Sequence, residues 1–474
     1  MAVLWMESWW EVLLTTAVIL STALTFVLVT LPSRYSSFDH LEKATGDVSK
    51  DANSRAESAV TVQVVVLGDI GRSPRMQYHA LSIANHGGKV NLIGFVESEV
   101  HPDVQASRSI KVKPLHPFSK RWQTNNKALF LLIAPLKVLW QVWTLYQALG
   151  YRTRPSKWML VQNPPSIPTL AVAQLICFLR NTRLIIDWHN FGYSLLALRL
   201  GPQHPLVRVS EWYEGFFAQR ATAHFAVTDA MTKLLKQKWD VDASPLHDRP
   251  AEQFQPLTTQ QRTSFLSKLA ETAQYADGLE TGKWKLLVSS TSWTADEDFA
   301  LLLDALVGYS AAVAEDSNLP RALVIITGKG PLKEYYLKRI RELNQENKLS
   351  SVVVTTAWLS TEDYASLLGS ADVGISLHTS SSGVDLPMKV VDMLGTGLPV
   401  LGWSKFEAWP ELIHEGDNGC GFESAEGMTI LLKDLFGDGG QRLQRLRQGA
   451  LKDCERRWDD EWMPVAGQLL QLKP

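Results

Sequence analysis

The pattern of apolar and polar positions opens with an unbroken apolar run, "VLLTTAVILSTALTFVLVTL", uncharged between Glu11 and Pro32. As a helix it spans roughly 30 Å, the thickness of a bilayer's hydrocarbon core. It predicts one transmembrane anchor over 12–31, after a short lumenal leader of residues 1–11. The leader carries Glu7 and Glu11 rather than basic residues, which argues against a cleaved signal peptide. Arg34, Lys43, Lys50 and Arg55 follow the span, so the positive-inside tendency places everything after it in the cytosol. Residues 32–58, rich in Ser, Asp and Ala without an apolar period, predict a flexible tether.

Alternation of strand and helix patterns then takes over. "AVTVQVVVLGDIG" predicts a buried parallel strand, "MQYHALSIANHGGKV" a helix ending at Gly-Gly, and "VNLIGFV" the next strand. The series continues through "KWMLVQNPP", an apolar helix from Ile167 to Arg180, "TRLIIDWH" and "ATAHFAVTDAM". A polar stretch over 242–282 interrupts it, and a second series begins at "KWKLLVSSTSW". The expected fold class is α/β: two Rossmann-like doubly wound domains, 59–241 and 283–440, facing a cleft, with 242–282 as connection and 441–474 as a C-terminal helical segment. One segment fits several roles. "KALFLLIAPLKVLWQVWTLYQALG", Lys127 to Gly150, suits an amphipathic helix on the membrane surface, a core helix or a second span, and Arg108, Lys111, Lys113, Lys120 and Arg121 before it suit lipid headgroups or a solvated face.

Composition narrows the functional classes. With 474 residues, 45% hydrophobic and 20% charged, the chain can bury two cores. A net charge of -2 provides no global field for nucleic acid, so none is expected as a partner. Cys177, Cys420 and Cys454 are widely separated and lack CxxC spacing, which predicts a reducing compartment and no structural metal. No Asn-x-Ser/Thr sequon occurs, as fits a chain whose bulk avoids a glycosylating lumen.

The candidate chemistry gathers at strand ends. In "GDIGRSPRM", Gly68, Gly71, Arg72, Ser73 and Arg75 sit where the first strand turns into a helix, able to receive a phosphate or acceptor sugar, or simply to make the turn. The spacing is not GxGxxG, which disfavours an NAD enzyme. "TGKG" offers Lys329 in the same kind of position, and "HDRP" offers Arg249. In "LHTSSSGVDLPMKVVDMLGTGLPV", Ser381, Ser382 and Gly383 form a polar loop, Asp385 and Pro387 open a helix, and Lys389 and Asp392 follow on neighbouring faces. Backbone donors and Lys389 there suit a diphosphate, and Asp392 a ribose hydroxyl. In "RLIIDWHNFGYS", Asp187 and His189 project to one side of a strand, so Asp187 can orient His189, or the reverse, for proton transfer near neutrality. Glu211 is a further candidate acid, with a solvated helix face as its plainer explanation.

"GDIGRSPRMQYH", "DWHNFGYS", "HDRP", "SSTSWTADEDF", "TGKGPLKEYY" and "SSSGVDLPMKVVDMLGTGLPV", together with the anchor, resemble the chitobiosyldiphosphodolichol β-mannosyltransferases of N-glycan assembly, glycosyltransferases of the GT-B fold. The resemblance covers nearly the entire chain. It implies GDP-mannose as donor, dolichol-linked diphosphochitobiose as acceptor and a β-1,4 linkage made on the cytosolic face of the endoplasmic reticulum membrane, near other glycosyltransferases of the pathway. One departure stands out. Many GT-B enzymes carry two glutamates eight positions apart, whereas here Val384 lies eight before Asp392 and Asp385 is the nearest acid. An inverting displacement suits this difference, with His189 or Asp187 as base. No DxD motif is apparent, so Lys329, Lys389 and Arg249 are expected to meet the leaving charge without an obligate metal or cofactor. The competing readings are a later dolichol-pathway α-mannosyltransferase and a catalytically silent GT-B scaffold.

Overall fold

The computed structural model describes residues 2–32, 60–119, 127–294 and 297–473. The expected tether therefore falls almost wholly outside the described residues, as do Lys120 and Arg121. Two compact units are present, one of residues 1–161, 165–185 and 220–222, the other of 162–164, 186–219 and 223–474.

Helix α1 (Ala2–Thr30) contains the apolar run. Its stretch Val12–Thr30 has mean hydropathy 2.4 and contains no buried residue; among the described residues it is the one helix long and apolar enough to cross a membrane. At its end the Tyr151 hydroxyl donates to the Thr30 carbonyl at 2.6 Å.

The first sheet comprises β1 (Thr61–Asp69), β2 (Lys89–Phe95), β3 (Ile110–Pro114), β4 (Trp158–Asn163), β5 (Arg183–Trp188), β6 (Ala223–Ala226) and β7 (Ser244–Pro245). Its order is β3-β2-β1-β4-β5-β6-β7. Val62, Val64, Val65 and Val66 of β1 are wholly buried, as a central parallel strand covered on both faces requires. Helix α2 (Pro74–Asn85) follows β1, α3 (Lys127–Gly150) precedes β4, and α4 (Thr169–Arg180) precedes β5. Helix α3 keeps Leu136, Val138, Leu139, Trp140 and Trp143 exposed while Leu145, Ala148 and Leu149 are buried. A core helix would hide the first group, so that expectation does not hold for this part of α3. Beyond β5 come α5 (Gly192–Leu200), α6 (Pro205–Ala218) and α7 (Asp229–Trp239).

The second sheet comprises β8 (Trp284–Ser290), β9 (Arg321–Thr327), β10 (Val352–Ala357), β11 (Val373–Ser376), β12 (Val400–Trp403) and β13 (Gly419–Phe422). The order β10-β9-β8-β11-β12-β13 is the doubly wound arrangement, with a crossover switch between β8 and β11. Helix α8 (Phe299–Glu315) follows β8, α9 (Lys333–Gln345) follows β9, and α10 (Met388–Gly395) follows β11. One core of β8, β9, α8 and neighbouring side chains includes the wholly buried Trp293 and Tyr309. The polar connection holds a helix, Thr259–Lys268, started by a Thr258/Gln261 capping box. Strands β3, β7, β12 and β13 were not anticipated from the sequence; each is short, and β12 and β13 include glycines that read as turns.

Candidate functional site

Strand alternation sets the first half of the site. Trp188 turns into the core, fully buried, and its indole N–H donates to His224 Nδ1 at 3.1 Å. Burial lowers the His224 pKa to about 4, so its ring is neutral and can accept. Asp187 and His189 therefore share the opposite face. Asp187 is wholly buried, and its Oδ2 lies 2.7 Å from His189 Nε2. The His189 side chain remains 22% exposed. An ionised Asp187 accepts from Nε2–H, which leaves the lone pair on Nδ1.

The residues after this pair are fixed closely. Asn190 Oδ1 accepts from the Phe191 N–H at 2.7 Å and the Ser194 hydroxyl at 3.2 Å. Its amide donates to Ser381 Oγ at 3.1 Å, so a residue of the Ser-Gly loop meets the loop after β5. Beneath them Glu214, absent from the sequence candidates, is wholly buried. It accepts from the N–H groups of Gly192 at 2.8 Å and Tyr193 at 3.3 Å, and from the Asn163 amide at 3.1 Å. A carboxylate there answers the unpaired donors and positive dipole at the start of α5. Its signal in the sequence was an acid on the buried stripe of α6, with Val207, Ser210 and Ala218. Glu211, the acid considered instead, pairs with Lys238 at 2.6 Å.

The Ser-Gly loop departs from its expected form. Asp385 does not cap α10, whose N-cap is Pro387. Instead its carboxylate accepts from His378 at 3.0 Å, from Ser382 at 2.9 Å and from Ser380. Burial alone would raise the Asp385 pKa, but the His378 hydrogen bond and charge, with the two serines, outweigh it and hold the group below the ordinary value. With these partners Asp385 shapes the loop. Gly383 adopts φ 78°, a left-handed conformation that suits glycine. Val384 is buried, and its carbonyl accepts from the Thr228 hydroxyl at 2.6 Å.

Helix α10 presents Lys389 and Asp392 differently. Lys389 Nζ is 2.8 Å from Glu297, which also accepts from the Ser292 N–H at 2.8 Å. Asp392 has no hydrogen-bond partner among the described residues. Burial raises its pKa well above the ordinary carboxyl value, and the charge of Asp248 adds to the rise. Lys329 lies over the Trp358 ring at 3.7 Å from its centroid, a cation–π contact on an exposed indole. The glycines beside it have a packing reason: a Cβ on Gly328 would stand 1.9 Å from the Thr291 carbonyl oxygen, and one on Gly330 1.7 Å from that of Ser292.

At the end of β1, Asp69 accepts from the N–H groups of Glu97 at 3.0 Å and Ser98 at 3.1 Å. Arg72 is largely exposed and donates to Ser98 Oγ at 3.2 Å, and Ser73 donates to the Asp69 carbonyl at 3.1 Å. Gly71 is required by packing, since a Cβ would meet the Glu99 carbonyl oxygen at 2.5 Å. Gly68 is not, because the nearest atom to a Cβ there is Val66 Cγ1 at 3.5 Å. Arg75 is buried with 1% exposure, out of reach of a ligand in this conformation. Arg249 is likewise engaged, 3.2 Å from Glu461.

The same Glu461 accepts from His247 Nδ1 at 3.1 Å, while His247 Nε2 faces Glu411 at 3.2 Å and Asp229 at 3.7 Å. Asp229, His247 and Glu411 bring ligand atoms within 4.8 Å of one another. Hydrogen bonds to Glu411 and Glu461 raise the His247 pKa to about 9, so the arrangement is that of an imidazolium between carboxylates rather than of a neutral metal ligand.

Comparison with solved structures gives the fold its name. Anabaena Alr3699/HepE in complex with UDP superimposes with a TM-score of 0.60 at 14% identity, covering 87% of this chain and 100% of that one. Sucrose-phosphate synthase from Thermosynechococcus elongatus gives 0.61 at 13% identity, over 87% and 98%. Both likenesses place the chain among GT-B folds, as the sequence resemblance implied. No family model matches the chain. The chitobiosyldiphosphodolichol beta-mannosyltransferase of Arthroderma benhamiae is 50% identical over 425 residues, 89% of this chain and 93% of the relative. Its namesake from Homo sapiens is 39% identical over 86% of this chain and 92% of its own length. At such identity over nearly full length, with the GT-B fold beneath it, the chain belongs to the chitobiosyldiphosphodolichol β-mannosyltransferase family.

Proposed function

We propose that the chain transfers mannose from GDP-mannose to the 4-hydroxyl of the terminal N-acetylglucosamine of diphosphodolichol-linked chitobiose, with inversion. The supporting observation is the buried Asp187 paired with the partly exposed His189 at the end of β5. In one displacement the acceptor O4 forms its bond to the mannose anomeric carbon as the bond from that carbon to the GDP oxygen breaks. The acceptor proton passes to His189 Nδ1 and the electron pair leaves with GDP. Asp187, sealed from solvent, keeps the ring oriented and stabilises the imidazolium. This is the first of the two assignments that the sequence left open.

On the donor side Asp392, without a hydrogen-bond partner among the described residues, accepts from the ribose hydroxyls. Ionised Asp392 is the form that accepts, so donor binding pulls its raised pKa down. Lys389, released from Glu297, and Lys329 meet the negative charge growing on the leaving diphosphate, with Ser381, Ser382 and Gly383 lining the loop beside it. Gly68 leaves room for the acceptor, with Arg72 available to its phosphate. Arg75, Arg249 and Asp385 support structure instead. Helix α1 anchors the protein in the endoplasmic reticulum membrane with both sheets in the cytosol.

The test is transfer by the purified protein to a chitobiosyl-diphosphate lipid in EDTA, with GDP-mannose or UDP-sugars. One mannose added from GDP-mannose only, and released by a β-mannosidase, is the expected product. His189→Ala should lower kcat by about 10²–10⁴ with donor affinity retained. Transfer requiring added metal, an α-linked product, or full activity in His189→Ala would overturn the corresponding part.

A further inference from the structure

At the N-terminal ends of β1, β2 and β3, away from the Gly68–Ser73 turn, lies a cavity of about 600 Å³. Lys89, Arg108, Lys111, Lys113, Arg152 and Arg154 line it, and among the described residues no acid does. Lys89, Arg108, Lys111 and Arg152 are exposed, and none of them pairs with a carboxylate among the described residues. Lysines on an edge strand commonly discourage sheet pairing, which would explain Lys111 and Lys113 of β3. That reason does not extend to Arg108, in the turn before β3, or to Arg152 and Arg154, which arrive from another segment.

The turn carrying Arg152 and Arg154 is built rigidly. Between them Thr153 is buried, its hydroxyl bonded to Gln63 Nε2 of β1 at 2.6 Å and to the Ala148 carbonyl at 2.8 Å. Arg180 Nη1 donates to the Thr153 carbonyl at 2.7 Å. One residue before the turn, the Tyr151 hydroxyl binds Thr30 at the end of α1. The cavity therefore adjoins the point where α1 ends, and the exposed Trp140 and Trp143 of α3 occupy the preceding turns of the same helix.

We propose that this cavity binds the phosphate headgroup of an anionic membrane lipid. Clustered Lys and Arg beside a membrane-anchoring helix meet the negative charge of such headgroups, and arginine forks match phosphate oxygens. Its ligand is distinct from the acceptor, which the proposed function places at the opposite ends of these strands. The site rests on α1 as a membrane anchor, a reading that alkaline extraction of native membranes tests separately.

The experiment uses the full-length protein in detergent micelles carrying fluorescent short-chain phosphatidic acid, or fluorescent phosphatidylcholine as the neutral comparison. Phosphatidic acid should bind in preference, more weakly as salt rises. Arg108→Gln/Lys111→Gln/Arg152→Gln should weaken that binding about tenfold or more, while Lys268→Gln/Lys433→Gln leaves it unchanged; both variants should keep the thermal midpoint of the parent. Equal binding by the triple variant and its parent, or no preference for phosphatidic acid, overturns the proposal. Inorganic diphosphate that binds the cavity as tightly as the lipid would make it a soluble-anion site and overturn the lipid assignment.

Discussion

His189 and Glu214 act on one loop from different depths, and their variants should separate chemistry from placement. In Asp187→Asn the amide can donate to the imidazole, favouring the wrong tautomer. Its kcat should fall by about 10²–10⁴, the range of general-base catalysis, with the donor KM nearly unchanged. Glu214→Ala leaves the Gly192 and Tyr193 N–H groups and the Asn163 amide without this acceptor. Stability should drop by about 1–3 kcal/mol in thermal denaturation, with Glu214→Gln recovering part of it. The two glycines after β1 make a sharper contrast. Gly71→Ala forces a Cβ toward the Glu99 carbonyl and should lower the melting temperature; Gly68→Ala should melt normally yet raise the KM for the lipid acceptor. Strand alternation alone made the Asp187–His189 pair legible. The role of Asp385 was not, because an acid two residues before a proline looks like part of a helix start until His378, Ser380 and Ser382 are seen to claim it. Nor could local sequence reveal that Arg249 is taken by Glu461, more than two hundred positions away.

Between elements, the His247 network joins the connection after β7 to α7, to the segment carrying Glu411 and to the short helix Trp458–Trp462. Hydrogen bonds to Glu411 and Glu461 raise the His247 pKa to about 9 from 6.5. Its contribution to stability is thus complete below pH about 6.5 and lost as pH rises through 9. The Glu461 pKa is lowered to about 2 from 4.5, first by the His247 hydrogen bond, so the same contacts fail again as pH falls from 4.5 towards 2. Counting the coupling once, denaturant unfolding should show a loss of about 2–3 kcal/mol between pH 6.5 and 9. His247→Gln should flatten that slope. Long elements were readable from periodicity, as β1, α2 and α8 illustrate. The four-residue strands β12 and β13 were not, since "VLGW" and "GCGF" offer too few alternating positions and their glycines mimic turns. Their place in the sheet is set by neighbours, β12 pairing with β11 and β13 with β12.

Across the whole molecule, the anchor and the chemistry occupy separate parts of the sequence and should be separable in assay. A chain lacking residues 1–31 should retain transfer to a short-chain acceptor in detergent and lose most of its transfer to dolichol-linked acceptor in vesicles. Comparable loss on both acceptors would mean that α1 also supports the fold, through Tyr151 and Gly150 at its end. That two doubly wound sheets follow an apolar helix was evident from the order of periodic segments, whereas the basic cavity was not, because its residues come from three separate stretches. All three cysteines are free and buried, and burial pushes the Cys177 thiol up to about 12. The native protein is therefore nearly silent towards maleimide, so a cysteine placed at an exposed position such as Val96 or Tyr335 can carry a spin or fluorescent label in the otherwise unaltered sequence. Motions during turnover then become measurable without first stripping the protein of its own thiols.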